Sequence, residues 1–394
     1  MLRERWGQRV VDANRLGESW ARVAAHGDQV PLRFYARLFV AHPEMRDFFP
    51  LSMAAQRDRL VTALGHVVSQ VGDLGTLTPF LLQLGREHRK FGTAPEHYGA
   101  VGEALLATLA DFLDDAWTAE LAGDWAQAYR LVAELMIDAA EQAAVHSPPW
   151  WDAEVVLHER RTFDIAVLVI RPSPAYDWVP GQSLAIESAL QPRMWRFYSP
   201  ANAPRADGTI ELHVRRAPGG PVSGVLVDQT QKGDLLRLGA PVGRDLTLRS
   251  DGRDVLLLAG GTGLAPLKAL VDHVATGAVS RRVRLFAGAR TVRELYDLDS
   301  LRDLAARHDW LTVVPTVADD TYHHHESGTV ADVALRLVPD PADHDVYVCG
   351  NREMVTASRD RLRAAGCPPE RVHHESFIGL VEEITGGPPL ETEP

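Results

Sequence analysis

The sequence predicts a multidomain chain: an all-α region, then a small antiparallel β-barrel, then a doubly wound α/β region. Three observations carry this. Up to about residue 147 apolar residues return every three or four positions, with no strand-like alternation. From Trp151 short β-rich runs are cut by Pro and Gly turns. From Asp254 apolar strands alternate with helical segments, the pattern of a parallel sheet.

In the first region, Leu81, Leu84, His88 and Phe91 share one stripe, and Tyr98, Val101, Leu105, Leu109 and Phe112 share the next. Ser147-Pro148-Pro149 stops the last helix, so the all-α domain is expected to span 1–147. Strands are expected at Glu154–Leu157, Thr162–Ile170, Thr209–Val214 and Leu235–Leu238, in a barrel domain spanning 148–250. Val255–Ala259, Val283–Phe286, Leu311–Val314 and Val346–Val348 are the strands expected of the α/β domain, 251–380. The acidic, Pro/Gly-rich tail, 381–394, is expected to be disordered.

Composition narrows the function. The 394 residues are 45% hydrophobic and 24% charged, ordinary for chains that bury a core. A net charge of -12, with Arg interleaved among Asp and Glu, argues against a nucleic-acid partner, which needs clustered cations. Only Cys349 and Cys367 are present, which excludes a disulfide framework and fits a reducing compartment. No run of about 18 apolar residues offers a membrane span, and Met1 to Trp20 lacks the apolar core of a signal peptide. A cytoplasmic protein, expected to be a monomer, follows.

The chemistry-bearing motifs lie in the second and third regions. Val255–Ala259 runs into Gly260-Gly261-Thr262-Gly263-Leu264-Ala265-Pro266, and a helix follows. Glycines at such a turn admit a pyrophosphate to the backbone, and the helix N-terminus supplies N–H donors. A tight turn in any α/β protein has the same look. Three further elements accompany it: Arg196-Phe197-Tyr198-Ser199, Gly219-Gly220-Pro221-Val222-Ser223, and Cys349-Gly350-Asn351 at a strand end. With them the chain resembles the ferredoxin–NADP reductase superfamily over more than half its length.

That resemblance implies FAD and a nicotinamide dinucleotide. It places Arg196 on the FAD phosphates, Tyr198 against the isoalloxazine with Phe197 between them in sequence, and Ser199 near the hydride-accepting nitrogen. Gly219, Gly220, Val222 and Ser223 belong to the pyrophosphate turn. Gly260, Gly261, Thr262, Gly263, Leu264, Ala265 and Pro266 bind the dinucleotide, and Cys349 and Gly350 line the nicotinamide pocket. NADH is favoured because Glu294 and Asp297 sit near Arg290 and Arg293, with NADPH the open alternative.

In the all-α region His88 faces inward, and on that fact alone a satisfied core histidine is the better reading. Upstream, Tyr35 shares a face with Leu32 and Phe39, and Gln56 shares one with Leu60, Ala63 and Val67. Together with His42-Pro43-Glu44, Phe49 and Gly102-Glu103-Ala104-Leu105-Leu106, the pattern resembles the globin domain of bacterial flavohaemoglobins. The resemblance makes His88 the proximal iron ligand of haem b, Phe49 and Leu60 haem-packing residues, Tyr35 and Gln56 distal donors toward O2, and Tyr98 a tuner of the proximal histidine. Glu375 and Phe377 fall at the flavin–haem junction. Three departures stand out: Ala140 with Glu141 where the family has one Glu, Glu87 in place of Lys, and Ser183 where Pro-Gly-Gln is normally followed by Tyr. His323-His324-His325 reads as a solvated loop.

The implied activity is nitric oxide dioxygenation, with NO and O2 as substrates, nitrate as product, and electrons passing from NADH through FAD to haem. The alternatives are a globin-coupled redox or O2 sensor, a haem-dependent NADH oxidase or peroxidase, and an electron-transfer reductase serving a separate oxygenase.

Overall fold

A computed structural model describes residues 11–249, 252–277, 281–319 and 325–376. Phe377, the tail 381–394, His323 and His324 lie outside them. The chain divides into two compact units, one before Trp151 and one from Trp151 onward.

The first unit is helical: α1 (Ala13–Ala24), α2 (Gln29–Ala41), α3 (Ala54–Gln70), α4 (Leu74–His88), α5 (His97–Leu113) and α6 (Ala119–Ala144). Side-chain caps start several of them. Asp12 accepts from the Arg15 amide, Asp73 from Gly75 and Thr76, and Thr118 from Leu121, each satisfying a donor the helix leaves unpaired. The main core joins Leu16, Phe34, Tyr35, Leu38, Leu105, Leu109 and Trp125. A second cluster sets Leu77, Phe80 and Leu81 of α4 against Leu135 of α6.

The α4–α6 contact is close because Gly85 has no side chain. A Cβ there would press on the Met136 backbone, 2.6 Å from its Cα and closer still to its carbonyl oxygen. Gly85→Ala is therefore expected to cost about 1–3 kcal/mol through overpacking, read as a lower urea midpoint. Gly123→Ala, with open space around it, serves as the silent control.

Phe91, expected on the His88 stripe, keeps edge-on contact with that imidazole, ring centroids 5.9 Å apart, but lies outside the helix. The helix ends at His88, and Phe91 lies in a short 3-10 turn closed by Gly92 at φ 77°, which leaves the ring exposed. Left-handed glycine ends the helix before the fourth stripe position is reached.

The second unit begins with a six-stranded antiparallel sheet: β1 (Trp151–Arg160), β2 (Ile165–Ser173), β3 (Ser183–Ser188), β4 (Arg196–Tyr198), β5 (Ile210–Arg215) and β6 (Leu235–Val242), in the order β4-β3-β6-β1-β2-β5. A bridge between Pro200 and Leu212 brings the edges together, so the barrel is nearly closed. The expected strand start at Thr162 moves to Ile165, because Thr162 Oγ1 accepts from the Ile165 amide and makes a turn instead. Helix α7 (Pro221–Asp228) follows β5.

The α/β part holds six parallel strands: β7 (Val255–Gly260), β8 (Val283–Ala289), β9 (Leu311–Val317), β10 (Glu326–Ser327), β11 (Asp345–Gly350) and β12 (Val372–Ser376), ordered β10-β9-β8-β7-β11-β12. Helices α8 (Leu264–Ala275), α9 (Leu298–Arg307), α10 (Val330–Leu337) and α11 (Arg352–Ala364) cover both faces. Leu257, Leu285 and Tyr347 pack with Leu267 and Leu301; Leu256, Leu258 and Phe286 pack with Val333 and Leu362. A sheet buried on both faces explains the near-continuous apolar strands. Among the described residues no helix is long and apolar enough to cross a membrane.

Candidate functional site

In the helical unit, Tyr35 is buried in α2 within an aromatic group, its ring centroid 5.7 Å from Phe39 and 5.4 Å from Phe49. Its hydroxyl points at the first turn of α3 and donates to the Gln56 carbonyl oxygen over 3.5 Å. Burial pushes the phenol up to about 12, so it is a proton-bearing donor at neutral pH. Tyr35, Phe49 and Gln56 are thus brought together. Leu60, one turn further along α3, is half-buried against the same core.

His88 ends α4. Its Nδ1 lies 2.8 Å from the Leu84 carbonyl oxygen, which can only accept, so Nδ1 carries the proton. Nε2 is then the lone-pair nitrogen, and among the described residues it has no hydrogen-bond partner. Burial, and after it the Lys90 charge, holds the imidazole below its ordinary range and hence neutral. Such a histidine leaves Nε2 available to a ligand-accepting group.

The residues around it explain two of the departures. Glu87 is buried and ion-pairs with buried Lys90, while Gln83 Nε2 donates to its other oxygen over 3.2 Å. Its carboxylate is therefore engaged away from the ring of His88. Glu141 is exposed. Half-buried Tyr98 lends its carbonyl oxygen to the Tyr129 hydroxyl at 2.6 Å, and burial pushes its own phenol up to about 12. Gly102 makes room for Tyr129, since a Cβ would sit 2.9 Å from the ring's Cδ1.

In the second unit, β4 pairs with β3 so that Tyr198 lies opposite Leu184 and Arg196 opposite Ile186. Strand alternation puts Arg196 and Tyr198 on one face and Phe197 on the other. Burial pushes the Tyr198 phenol well up. Ser183, noted only as a departure, occupies a central place. Its Oγ is 3.0 Å from Ser199 Oγ and donates to Glu375 Oε1 over 3.0 Å. A carboxylate can only accept, so Ser199 donates to Ser183 and Ser183 to Glu375.

The Gly-rich turn follows β7 and leads into α8. Gly261 sits at φ 54°, which glycine adopts without penalty. Gly263 is pressed against the end of β11, where a Cβ would meet the Cys349 carbonyl and lie 2.7 Å from the Gly350 amide nitrogen. Cys349 pairs with Ala259 on one side and Glu375 on the other. Burial, and then the Glu375 charge, raises its thiol far above the ordinary range. It is inert as a nucleophile.

Several candidates face elsewhere. The side chains of Val222, Leu264, Ala265 and Pro266 are buried in helix packing, so only their backbones can reach a ligand. Ser223 Oγ accepts from the Ala217 amide and donates to the Gly220 carbonyl oxygen, closing the turn that α7 leaves. Arg290 is paired with Glu294 at 3.2 Å. Three residues escaped the sequence reading. Met354 Sδ would be 3.3 Å from a Gly260 Cβ and 2.9 Å from a Gly350 Cβ. Arg215 Nη1 would be 3.2 Å from one on Gly261. Tyr296 lines a small recess with Gly261, Gly288 and Glu294. All three arrive through tertiary folding, with no local pattern to announce them.

Comparison with known proteins agrees with this division. The Globin family matches residues 32–136, the oxidoreductase FAD-binding domain residues 152–245, and the oxidoreductase NAD-binding domain residues 257–360. A flavohemoprotein of Bacillus subtilis is 28% identical over 375 residues, spanning 89% of this chain and 93% of that protein. One from Bordetella pertussis is 29% identical over 381 residues, spanning 89% and 94%. The crystal structure of a flavohemoglobin from Malassezia yamatoensis, with bound FAD and heme, superposes with a TM-score of 0.76 at 19% identity, over 94% of this chain and 99% of that one. A ferredoxin reductase in carbazole 1,9a-dioxygenase covers 59% of this chain and 71% of its own, with a TM-score of 0.54 at 29% identity.

Proposed function

The chain joins a globin domain to FAD-binding and NAD-binding oxidoreductase domains, the order found in flavohaemoglobins, and on that premise we propose that it is a nitric oxide dioxygenase, turning NO and O2 into nitrate with electrons from NADH. The observation that carries this reading is the meeting of Tyr35 with Gln56 in the same helical unit as a neutral, Nε2-free His88.

The residues fit the groups required. A haem needs an imidazole with a free nitrogen and apolar walls, and His88 with half-buried Phe49, Leu60, Leu64 and Val101 offers both. FAD needs a guanidinium and an aromatic on one strand face, which β4 provides. The dinucleotide needs backbone access at a strand-to-helix turn, which Gly261 and Gly263 provide. When bound, FAD accepts a hydride and releases electrons singly, and haem iron binds O2.

The chain's own residues do the rest. Leu84 fixes the His88 tautomer, so the lone pair is presented without rearrangement. Tyr35 would supply a hydroxyl donor toward O2, and the Gln56 side-chain amide a second. The hydrogen-bonded row Ser199–Ser183–Glu375 would offer protons a path from the end of β4 through the start of β3 to β12. The His88 partner is a neutral carbonyl rather than a carboxylate, so the imidazole gains little electron-donating strength. This favours O2 handling over the peroxidase alternative.

The test mixes the reduced, O2-equilibrated protein with nitric oxide in a stopped-flow instrument; near-stoichiometric nitrate is expected. Slow reaction yielding nitrite would refute the reading. Tyr35→Phe removes a donor worth about 1.5–3 kcal/mol when it faces a charged acceptor. O2 dissociation is then expected to accelerate by about tenfold or more.

A further inference from the structure

Strand β5 has two faces with different tasks. Leu212 and Val214 point into the barrel core. The alternate residues, Glu211, His213 and Arg215, all meet groups from beyond the barrel. Glu211 Oε1 receives Lys268 Nζ over 2.9 Å, and the same ammonium donates to Asp297 Oδ2 over 2.6 Å. His213 is held between Glu211 Oε1, at 3.0 Å, and the Tyr296 hydroxyl, at 2.8 Å. Because the carboxylate takes the proton on Nε2, Nδ1 accepts from Tyr296. The cluster is out of solvent: the side chain of His213 is 0% exposed, that of Asp297 1% and that of Lys268 11%.

Each partner sits at a telling place. Lys268 is on α8, the helix opened by the Gly-rich turn. One turn later on that helix Asp272 accepts from the Ala203 amide of the barrel over 3.2 Å. Tyr296 and Asp297 follow β8 and line the recess beside Gly261 and Gly288. A single ammonium thus bridges a barrel carboxylate and a nucleotide-side carboxylate. Without it, Asp297 would lose its ammonium partner in a buried place, while Glu211 would keep only Arg205, 3.0 Å from Oε2, and His213.

From this arrangement we infer that Lys268 is the positioning residue of the joint between the FAD-binding barrel and the nucleotide-binding half, setting the approach across which the hydride passes. Lys268 touches no reacting atom. It acts by holding α8 and residues 296–297 against β5, and misplacement of about 1 Å can slow a transfer about 10²-fold. The inference rests on the NADH-to-FAD half of the proposed function.

The experiment uses the full-length, cofactor-loaded protein carrying Lys268→Met, and a triple variant, Glu211→Gln/Lys268→Met/Asp297→Asn, which leaves no unpaired buried charge, Arg205 being exposed. In both, FAD content is expected to match the parent, while flavin bleaching by saturating NADH under anaerobic conditions slows between about tenfold and a hundredfold. The NADH concentration for half-maximal rate should move little. Amide exchange should quicken at residues 211–215 and 294–298, a readout independent of turnover. Parental bleaching rates with unchanged exchange in either variant would overturn the joint. So would failure of both to fold, which would make the cluster a folding determinant. If NADH fails to bleach the parent's flavin, the functional reading itself falls.

Discussion

His88→Ala is expected to purify without haem while retaining FAD and the ability to pass NADH electrons to ferricyanide. The imidazole is the only feature of α4 that offers a lone pair in place: Leu84 holds Nδ1–H at 2.8 Å, and Nε2 has no hydrogen-bond partner among the described residues. Ala fills the helix position without strain, so the fold should survive and the loss should be specific. The measurement is the ratio of Soret to flavin absorption in the purified protein. A His88→Ala protein with an unchanged Soret band would remove the foundation of the proposal, since no other histidine described in the helical unit has a ring nitrogen on a backbone carbonyl oxygen. His66 is the nearest rival, with a buried Nε2 that has no partner. Its ring packs edge-on to Phe80 at 4.7 Å, a core contact that accounts for its low proton affinity through burial.

The fold class was legible because each region carries its own period. Helical spacing ends at the Ser147-Pro148-Pro149 stop, and the doubly buried strands of the α/β half are too apolar to be anything else. The missed strands, β3, β4, β10 and β12, each lack a readable period. β3 reads Ser-Leu-Ala-Ile-Glu-Ser and is buried along its whole length, so it shows no alternation. β4 is three residues long and is a strand only because β3 pairs with it. β10 is shorter still, pairing through two residues.

The site divides in the same way. Motifs confined to one turn, such as Gly260 to Pro266, can be read locally because the backbone conformation is itself the function. Ser183 could not be read so. Its meaning comes from Glu375, which is 192 residues away in sequence and 3.0 Å away in space. The Lys268 cluster is likewise assembled from three separate segments. Only the alternation at 211, 213 and 215 hinted that β5 has a polar outer face, and such a face is ordinarily solvated.

Gly263→Ala is expected to abolish reduction of the flavin by NADH while leaving haem and FAD bound. The obstacle is space and not conformation. Gly263 has φ -60° and ψ -8°, values any residue adopts. An added Cβ would collide with the Cys349 carbonyl and crowd the Gly350 amide nitrogen at 2.7 Å. Both are backbone atoms of β11, which is locked by parallel pairing to β7 and β12, so no side chain can swing aside. The turn must lift from the sheet end, taking the first amides of α8 out of register with the Cys349-Gly350 floor. Overpacking of this kind costs about 1–3 kcal/mol in stability, too little to unfold the half but enough to displace the turn. Gly224→Ala, whose Cβ meets nothing within 4 Å, controls for a generic loss of glycine. Anaerobic flavin bleaching distinguishes the two. Normal bleaching in Gly263→Ala would mean that the dinucleotide does not lie against the nest of β7 and β11.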